Sequence, residues 1–334
     1  MLKPELTTIA ESILRQDFRS DEPVKTLVPL KGGEWSAAYK FCADNRYYVI
    51  RLSHTPENFY RDSFAARISL PELPVPQIIK IDRYQEQFYA ISPFFDGEPF
   101  EKLSTSELAQ TIPCFLRMMT ALQSINLDLT EGYGTITPEG QGAFRSWRDA
   151  LLDVYNDRHE NLTHGWKKIL ASDPAAECKY NRFFEQLTEL VPFCPELKHL
   201  IHSDLLYQNL LVSDNRISAV LDWGCAMIGD PAYDIAIFSF FEPWFPAFTE
   251  TNLVNMMCES YIAQSPENAL NFEQRVTAYQ IHLTLGNIAF CAYSEGKFDY
   301  YEHIDRLEKI LSFETKSRAV MQSRALRNGA APSA

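Results

Sequence analysis

Two acidic residues and one amide, set close together in a chain, are enough to organise the transfer of a phosphoryl group. The run His202-Ser203-Asp204-Leu205-Leu206-Tyr207-Gln208-Asn209 supplies an Asp and the amide, and Val220-Leu221-Asp222-Trp223 supplies the second Asp. Such a reaction asks for positioning and charge neutralisation more than for covalent help. Side-chain oxygens of Asn209 and Asp222 can share Mg²⁺ with the phosphates of ATP or GTP. Asp204 is then left free of metal, to accept the proton of an incoming hydroxyl. Any one of these residues alone reads as a surface turn residue. The whole pattern, followed by an apolar β-run and Asp-Trp, reads as a site.

The elements around the motif must bring its parts together. Leu210-Leu211-Val212 and Ile217-Ser218-Ala219-Val220-Leu221 flank Ser213-Asp214-Asn215-Arg216, and turn residues of that kind predict a hairpin. A hairpin folds back on itself, so its entry (Asp204, Asn209) and its exit (Asp222) can meet. Upstream, residues 5–18 carry Leu6, Ile9, Ile13 and Leu14 at helical spacing. Residues 26–30, 37–42 and 46–52 are β-rich runs broken by Lys31-Gly32-Gly33-Glu34 and Ala43-Asp44-Asn45-Arg46, which read as hairpin turns. A helix follows over 57–69, then a proline-rich loop, strands over 77–81 and 87–92, and a turn-rich linker over 93–99. From residue 105 helical periodicity takes over, with candidates at 105–124, 143–157, 178–191, 250–263, 272–295 and 301–313.

The expected fold class is therefore α+β and bilobal. Residues 1–95 form a small antiparallel β lobe with one or two helices, residues 96–315 a larger, mainly helical lobe, and 316–334 a tail. The chain has 334 residues, 46% hydrophobic and 22% charged, an ordinary balance for a soluble enzyme with real cores. Its net charge of −13 argues against nucleic acid as a partner and suits a cationic small molecule or a plain acidic surface. The seven cysteines show no close pairing, and the apolar stretches are too short to span a bilayer. The start lacks the apolar core of a secretory signal. A cytoplasmic monomer with reduced thiols and no membrane contact is the expectation.

The motif resembles that of the aminoglycoside phosphotransferase family, whose fold is similar to that of protein kinases. The stretch Gly229-Asp230-Pro231-Ala232-Tyr233-Asp234-Ile235-Ala236 and the segments Phe59-Tyr60-Arg61-Asp62 and Leu73-Pro74-Val75-Pro76 extend the likeness along most of the chain. The resemblance implies Asp204 as catalytic base, Asn209 and Asp222 as magnesium ligands, and His202 as a residue that shapes the loop. It also implies a cation on the third strand, where a kinase-like fold normally has Lys; here the run Tyr47-Tyr48-Val49-Ile50 ends in Arg51. Arg keeps the charge on a longer side chain, so a shorter carboxylate should pair with it. Asp62 is the candidate partner and Glu57 the rival. Gly32 and Gly33 would let backbone approach the phosphates. The Ser92 carbonyl and the Phe94 N–H would read adenine, since Pro93 cannot donate.

The acceptor is expected on the helical lobe, against Trp147, Asp149, Asp153, Trp223, Glu242 and Trp244. Carboxylates and aromatic walls suit an aminoglycoside's ammonium groups. A solvated helix face for the acids and core packing for Trp147 are the alternatives. The function implied is γ-phosphoryl transfer from ATP or GTP to a hydroxyl of a hygromycin-like aminoglycoside. One alternative keeps the chemistry on another hydroxylated metabolite or a macrolide. Another is an inactive kinase-like protein that only binds nucleotide. No Asp-Phe-Gly or Ala-Pro-Glu element marks an ordinary protein kinase.

Overall fold

The computed structural model describes residues 4–18, 24–30, 36–159, 163–294 and 297–313. The expected glycine loop at Gly32 and Gly33, and the tail, lie outside these residues.

Helix α1 (Pro4–Asp17) packs Ala10, Ile13 and Leu14 against a five-stranded antiparallel sheet. The strands are β1 (Lys25–Pro29), β2 (Ala37–Ala43), β3 (Arg46–Ser53), β4 (Lys80–Tyr84) and β5 (Gln87–Pro93), in spatial order β1-β2-β3-β5-β4. Burial alternates along β2, so Tyr39 and Phe41 face the helix while their neighbours face out. The β2–β3 turn is tight because Asp44 and Asn45 both adopt positive φ, 47° and 60°, the conformation a two-residue hairpin needs. Helix α2 (Glu57–Arg67) links β3 to β4, and its Ala65 and Ala66 join the core of the larger half of the molecule.

The larger half opens with β6 (Glu98–Pro99) and α3 (Thr105–Ser124). Ser104 and Glu107 close a reciprocal capping box at the start of α3, a device worth about 1 kcal/mol. Then come β7 (Tyr133–Ile136), β8 (Gly142–Phe144), α4 (Trp147–Leu152), α5 (Trp166–Leu170) and α6 (Pro174–Leu190). Strands β9 (His199–Ile201), β10 (Leu210–Ser213), β11 (Arg216–Val220) and β12 (Met227–Gly229) frame the motif. Helices α7 (Ala232–Phe241), α8 (Pro246–Glu250), α9 (Leu253–Gln264), α10 (Phe272–Tyr293) and α11 (residues 300–313) complete the chain.

Sequence periodicity predicts one helix over 143–157, but β8 and α4 share that stretch, and the 77–81 strand sits at β4 instead. Strand β6 pairs with β10, so the linker is stitched into the same small sheet as the motif hairpin. Among the described residues no helix is long and apolar enough to cross a membrane.

Behind the motif lies a buried ion pair. Asp230, between β12 and α7, accepts from Arg275 Nε at 2.8 Å and Nη2 at 2.7 Å, with the Tyr279 hydroxyl on the same carboxylate. The two charged side chains are 1% and 0% exposed, and Arg275 also donates to the Asn268 and Leu270 carbonyls. Removing one member of such a pair strands the other charge. Arg275→Met should therefore cost about 3–5 kcal/mol of stability, read from urea unfolding. A variant within about 1 kcal/mol of the parent would show that the pair is not a structural keystone.

Candidate active site

The motif hairpin forms as its turn residues dictate. Asp214 and Asn215 take φ of 52° and 58°, and β10 pairs with β11 from Leu210↔Val220 to Ser213↔Arg216. The Leu221 N–H donates to the Asn209 carbonyl at 2.7 Å, closing the open end of the hairpin. Asp204, Asn209 and Asp222 consequently line one cleft. Asn209 Nδ2 donates to the Asp204 carboxylate at 3.0 Å and to its carbonyl at 2.8 Å. That fixes the amide so that its Oδ1 is the atom left for a cation.

The loop is held from beneath. Asp234, on α7, takes the His202 and Ser203 backbone N–H groups on its two carboxylate oxygens at 3.1 and 2.8 Å. His202 is fully buried; its Nδ1 accepts the Asp204 N–H at 3.2 Å, which makes Nε2 the protonated nitrogen, donating to the Leu221 carbonyl at 2.9 Å. Burial pushes its pKa down to about 4, so a neutral ring bridges the two halves of the motif. Glu101, absent from the sequence-based candidates, accepts the Gln208 N–H at 2.9 Å, and Tyr207 and Gln208 both hold positive φ. Such non-glycine conformations cost energy and persist only where the surroundings enforce them.

Arg51 of β3 and Asp62 of α2 form an ion pair, and the second Asp62 oxygen accepts the Trp223 N–H at 2.8 Å. Burial opposes the charge on Arg51, but Asp62 and then Asp222 outweigh it and hold its pKa above the usual value. Glu57, the rival partner, occupies the first turn of α2 and does not line the cleft. Asp204 behaves differently. Burial and then the neighbouring Asp222 push its pKa up to about 7, with the Asn209 hydrogen bond pulling back.

Several expected positions need correction. The Phe94 N–H already donates to the Tyr47 carbonyl at 3.0 Å, as an extension of the β3–β5 pairing. The alternation of an antiparallel pair turns the Ser92 backbone toward Val49 as well, so neither residue offers a free backbone group to adenine. Trp147 is core: it is fully buried, donates to the Tyr279 hydroxyl at 3.2 Å, and fills the space where Gly229 has no side chain. Asp149 is exposed on α4, and neither Asp149 nor Asp153 lines the cleft. Trp223 borders the cleft but is 1% exposed, with its indole tied to the Val220 carbonyl, so little of its ring is open to a ligand. Glu242 also lies outside the cleft lining, although Trp244 borders it.

The cleft is about 1040 Å³ and runs from the hinge strand past the motif to α11. Asp96 and Glu98 of the linker and Asp299 and Glu302 near the start of α11 also line it, with Lys102 among them and Tyr207, Trp244 and Phe298 as exposed aromatics. Burial lowers the pKa of His303, which favours a neutral ring there.

The sequence model of the phosphotransferase enzyme family matches residues 26–261, well over half of the chain. The chain belongs to the phosphotransferase enzyme family. The hygromycin-B 4-O-kinase of Escherichia coli is 30% identical to this phosphotransferase over 304 residues, 90% of this chain and 86% of that one. A solved structure of a thermostable mutant of aminoglycoside phosphotransferase APH(4)-Ia, in ternary complex with AMP-PNP and hygromycin B, matches with a TM-score of 0.77 at 26% identity. The match covers 90% of this chain and 97% of that one. The streptomycin–ATP–APH(2")-IIa ternary complex shares the fold at 16% identity and a TM-score of 0.57, over 93% and 97% of the two chains. This phosphotransferase thus has the bilobal kinase-like α+β fold, with a small antiparallel sheet and a larger helical part.

The raised Asp204 carboxyl is directly measurable. In the metal-free protein, carboxyl ¹³C NMR should place its midpoint near the value of about 7 that burial and Asp222 impose. Asp222→Asn removes a raising charge and should shift that midpoint to lower pH. A wild-type midpoint in the ordinary Asp range would show that solvent reaches the carboxylate.

Proposed function

We propose that this phosphotransferase transfers the γ-phosphoryl group of a nucleoside triphosphate to a hydroxyl of a hygromycin-like aminoglycoside. The observation that carries the reading is the cleft itself: a phosphoryl-transfer constellation opens into a long channel lined by four carboxylates and three exposed aromatics. Polycationic ligands with sugar faces fit such walls by charge-assisted hydrogen bonds and ring contacts. The 30% identity to a hygromycin-B 4-O-kinase supports the same acceptor class.

In this reading adenine lies against β5, read by the Pro93 carbonyl and the Phe95 N–H. Both residues line the cleft, and the Pro93 carbonyl faces away from β3. Arg51 contacts the phosphates. Asn209 Oδ1 and the Asp222 carboxylate would hold Mg²⁺, since an amide oxygen and a carboxylate are the hard oxygen donors that suit it. Bound there, the ion would neutralise charge on the phosphate oxygens. Asp204 accepts the acceptor's hydroxyl proton as the new O–P bond forms and the bond to the β-phosphate oxygen breaks, releasing ADP. Asp299, Glu302 and Trp244 hold the acceptor.

Two measurements test this. Asp204→Ala should lower kcat by about 10²–10⁴-fold while nucleotide affinity is kept; a variant that keeps its turnover would remove the assignment. A coupled ADP-release screen with Mg-ATP and Mg-GTP should show stimulation by hygromycin B, and Glu302→Gln should raise the acceptor KM more than it lowers kcat. Stimulation by an uncharged metabolite alone would move the acceptor to another class, and flat baselines with nucleotide bound would favour a non-catalytic protein.

A further inference from the structure

Asp62 is one of two consecutive α2 residues that grip the Asp222 turn; the other is Arg61. Its Nε donates to the Ile136 carbonyl at 2.7 Å. Its Nη1 donates to the Gly224 carbonyl at 3.0 Å and to Asn58 Oδ1 at 3.0 Å. The turn that presents Asp222 is therefore held at two points by one helix. Asp62 takes the amide of Trp223, and Arg61 takes the carbonyl of the next residue, Gly224.

The approach is close. A Cβ on Gly224 would stand 2.8 Å from the Asn58 side chain and 3.1 Å from Asp222 Oδ1, so an alanine there would press on both. Asp222 itself sits at φ 54°, a left-handed conformation that aspartate tolerates better than most residues. The far side of the turn is pinned to the catalytic loop, where Ser203 Oγ donates to the Cys225 carbonyl at 2.6 Å. Ile136, the other acceptor of Arg61, has its own N–H on the Ala226 carbonyl at 3.1 Å, so both anchors of the guanidinium belong to the strand edge that continues the turn.

We infer that Arg61 is a positioning residue for the magnesium-binding turn, acting through the Gly224 and Ile136 carbonyls to hold Asp222 aimed at the phosphates. It touches neither substrate nor cation. The inference rests on the assignment of Asp222 as a magnesium ligand, and its test separates the two. A planar guanidinium satisfies two carbonyls and one amide oxygen at once, a task that an ammonium fulfils only in part.

The test uses calorimetric binding of AMP-PNP over a magnesium titration, with amide hydrogen exchange at Trp223 and acceptor KM beside it. Arg61→Met should raise the magnesium concentration for half-maximal binding about tenfold, the effect of losing hydrogen bonds to a charged group. It should also speed exchange at the Trp223 amide and leave the acceptor KM nearly unchanged. Arg61→Lys should recover part of the loss. Gly224→Ala should reproduce the magnesium shift, and adding Asn58→Ala should relieve part of it, because one of the two colliding side chains is gone.

A folded Arg61→Met protein with unchanged magnesium dependence and Trp223 exchange would overturn the inference. So would an acceptor KM that moved as much as the magnesium requirement. If Arg61→Met does not fold, a Gly224→Ala protein with no magnesium shift overturns it instead. Should Asp222→Ala leave magnesium dependence unchanged, the ligand assignment fails, while exchange at Trp223 still decides whether Arg61 holds the turn.

Discussion

The carboxylate of Asp62 is almost fully buried and has partners from two different parts of the chain: the Arg51 guanidinium from β3 and the Trp223 amide from the motif turn. Neither partner alone would make it a good place for a charge. Burial pushes the Asp62 carboxyl up, and Arg51 and the Trp223 amide pull it back. Break either contact and a buried charge loses its compensation, which is expensive enough to keep both. The five-stranded sheet and the motif hairpin are thereby held in one geometry across the cleft. The swap from Lys to Arg on β3 fits this arrangement. A longer cation with a fork of donors leaves room for a shorter acid, and the shorter acid can also reach the backbone of the turn.

The catalytic loop obeys the same logic from below. Asp234 takes two consecutive amides, and neutral His202 joins the Asp204 amide to the Leu221 carbonyl, so the amides of His202, Ser203 and Asp204 all have protein acceptors. The side chains that project into the cleft are then free for ligands. Acidic groups crowd at that end, and Asp222 raises the pKa of Asp204 as a result. A cation beside Asp222 reverses that influence, so the ion that organises the phosphates would also favour the ionised form of the base.

Much of this was legible in the sequence because it depends on backbone rules. Asp44-Asn45 and Asp214-Asn215 both turn hairpins for the same reason, tolerance of positive φ, and once the second hairpin is placed the meeting of Asp204, Asn209 and Asp222 follows. Side-chain length favoured a short acid opposite Arg51 but left Asp62 and Glu57 both open, and the structure pairs it with Asp62. What was not readable depends on contacts across the fold. Helix α7 is apolar on every side because it is buried on every side, so it carries no period to detect. Trp147 looks like a ligand wall in a list of aromatics, but Gly229, Tyr233 and Tyr279 enclose it. The Phe94 N–H, expected to face adenine, is instead claimed by β3, a choice made by strand register rather than by residue type.

The far wall of the cleft was the least readable part, because residues distant from the motif build it. Asp299 and Glu302 sit at the start of α11, which buries Ile304 and Leu307 in the core and ties Arg306 to the Ser239 and Phe240 carbonyls of α7. Tyr300 and Tyr301 donate to Asp173, the N-cap of α6, and Glu308 pairs with Lys179 and Arg182. These are side-chain contacts at partly exposed positions, each worth little individually. The catalytic end is fastened by backbone amides on buried carboxylates, where any change is costly. The motif is therefore legible in a short run of sequence, whereas Asp299 and Glu302 are brought to the same cleft only by the fold.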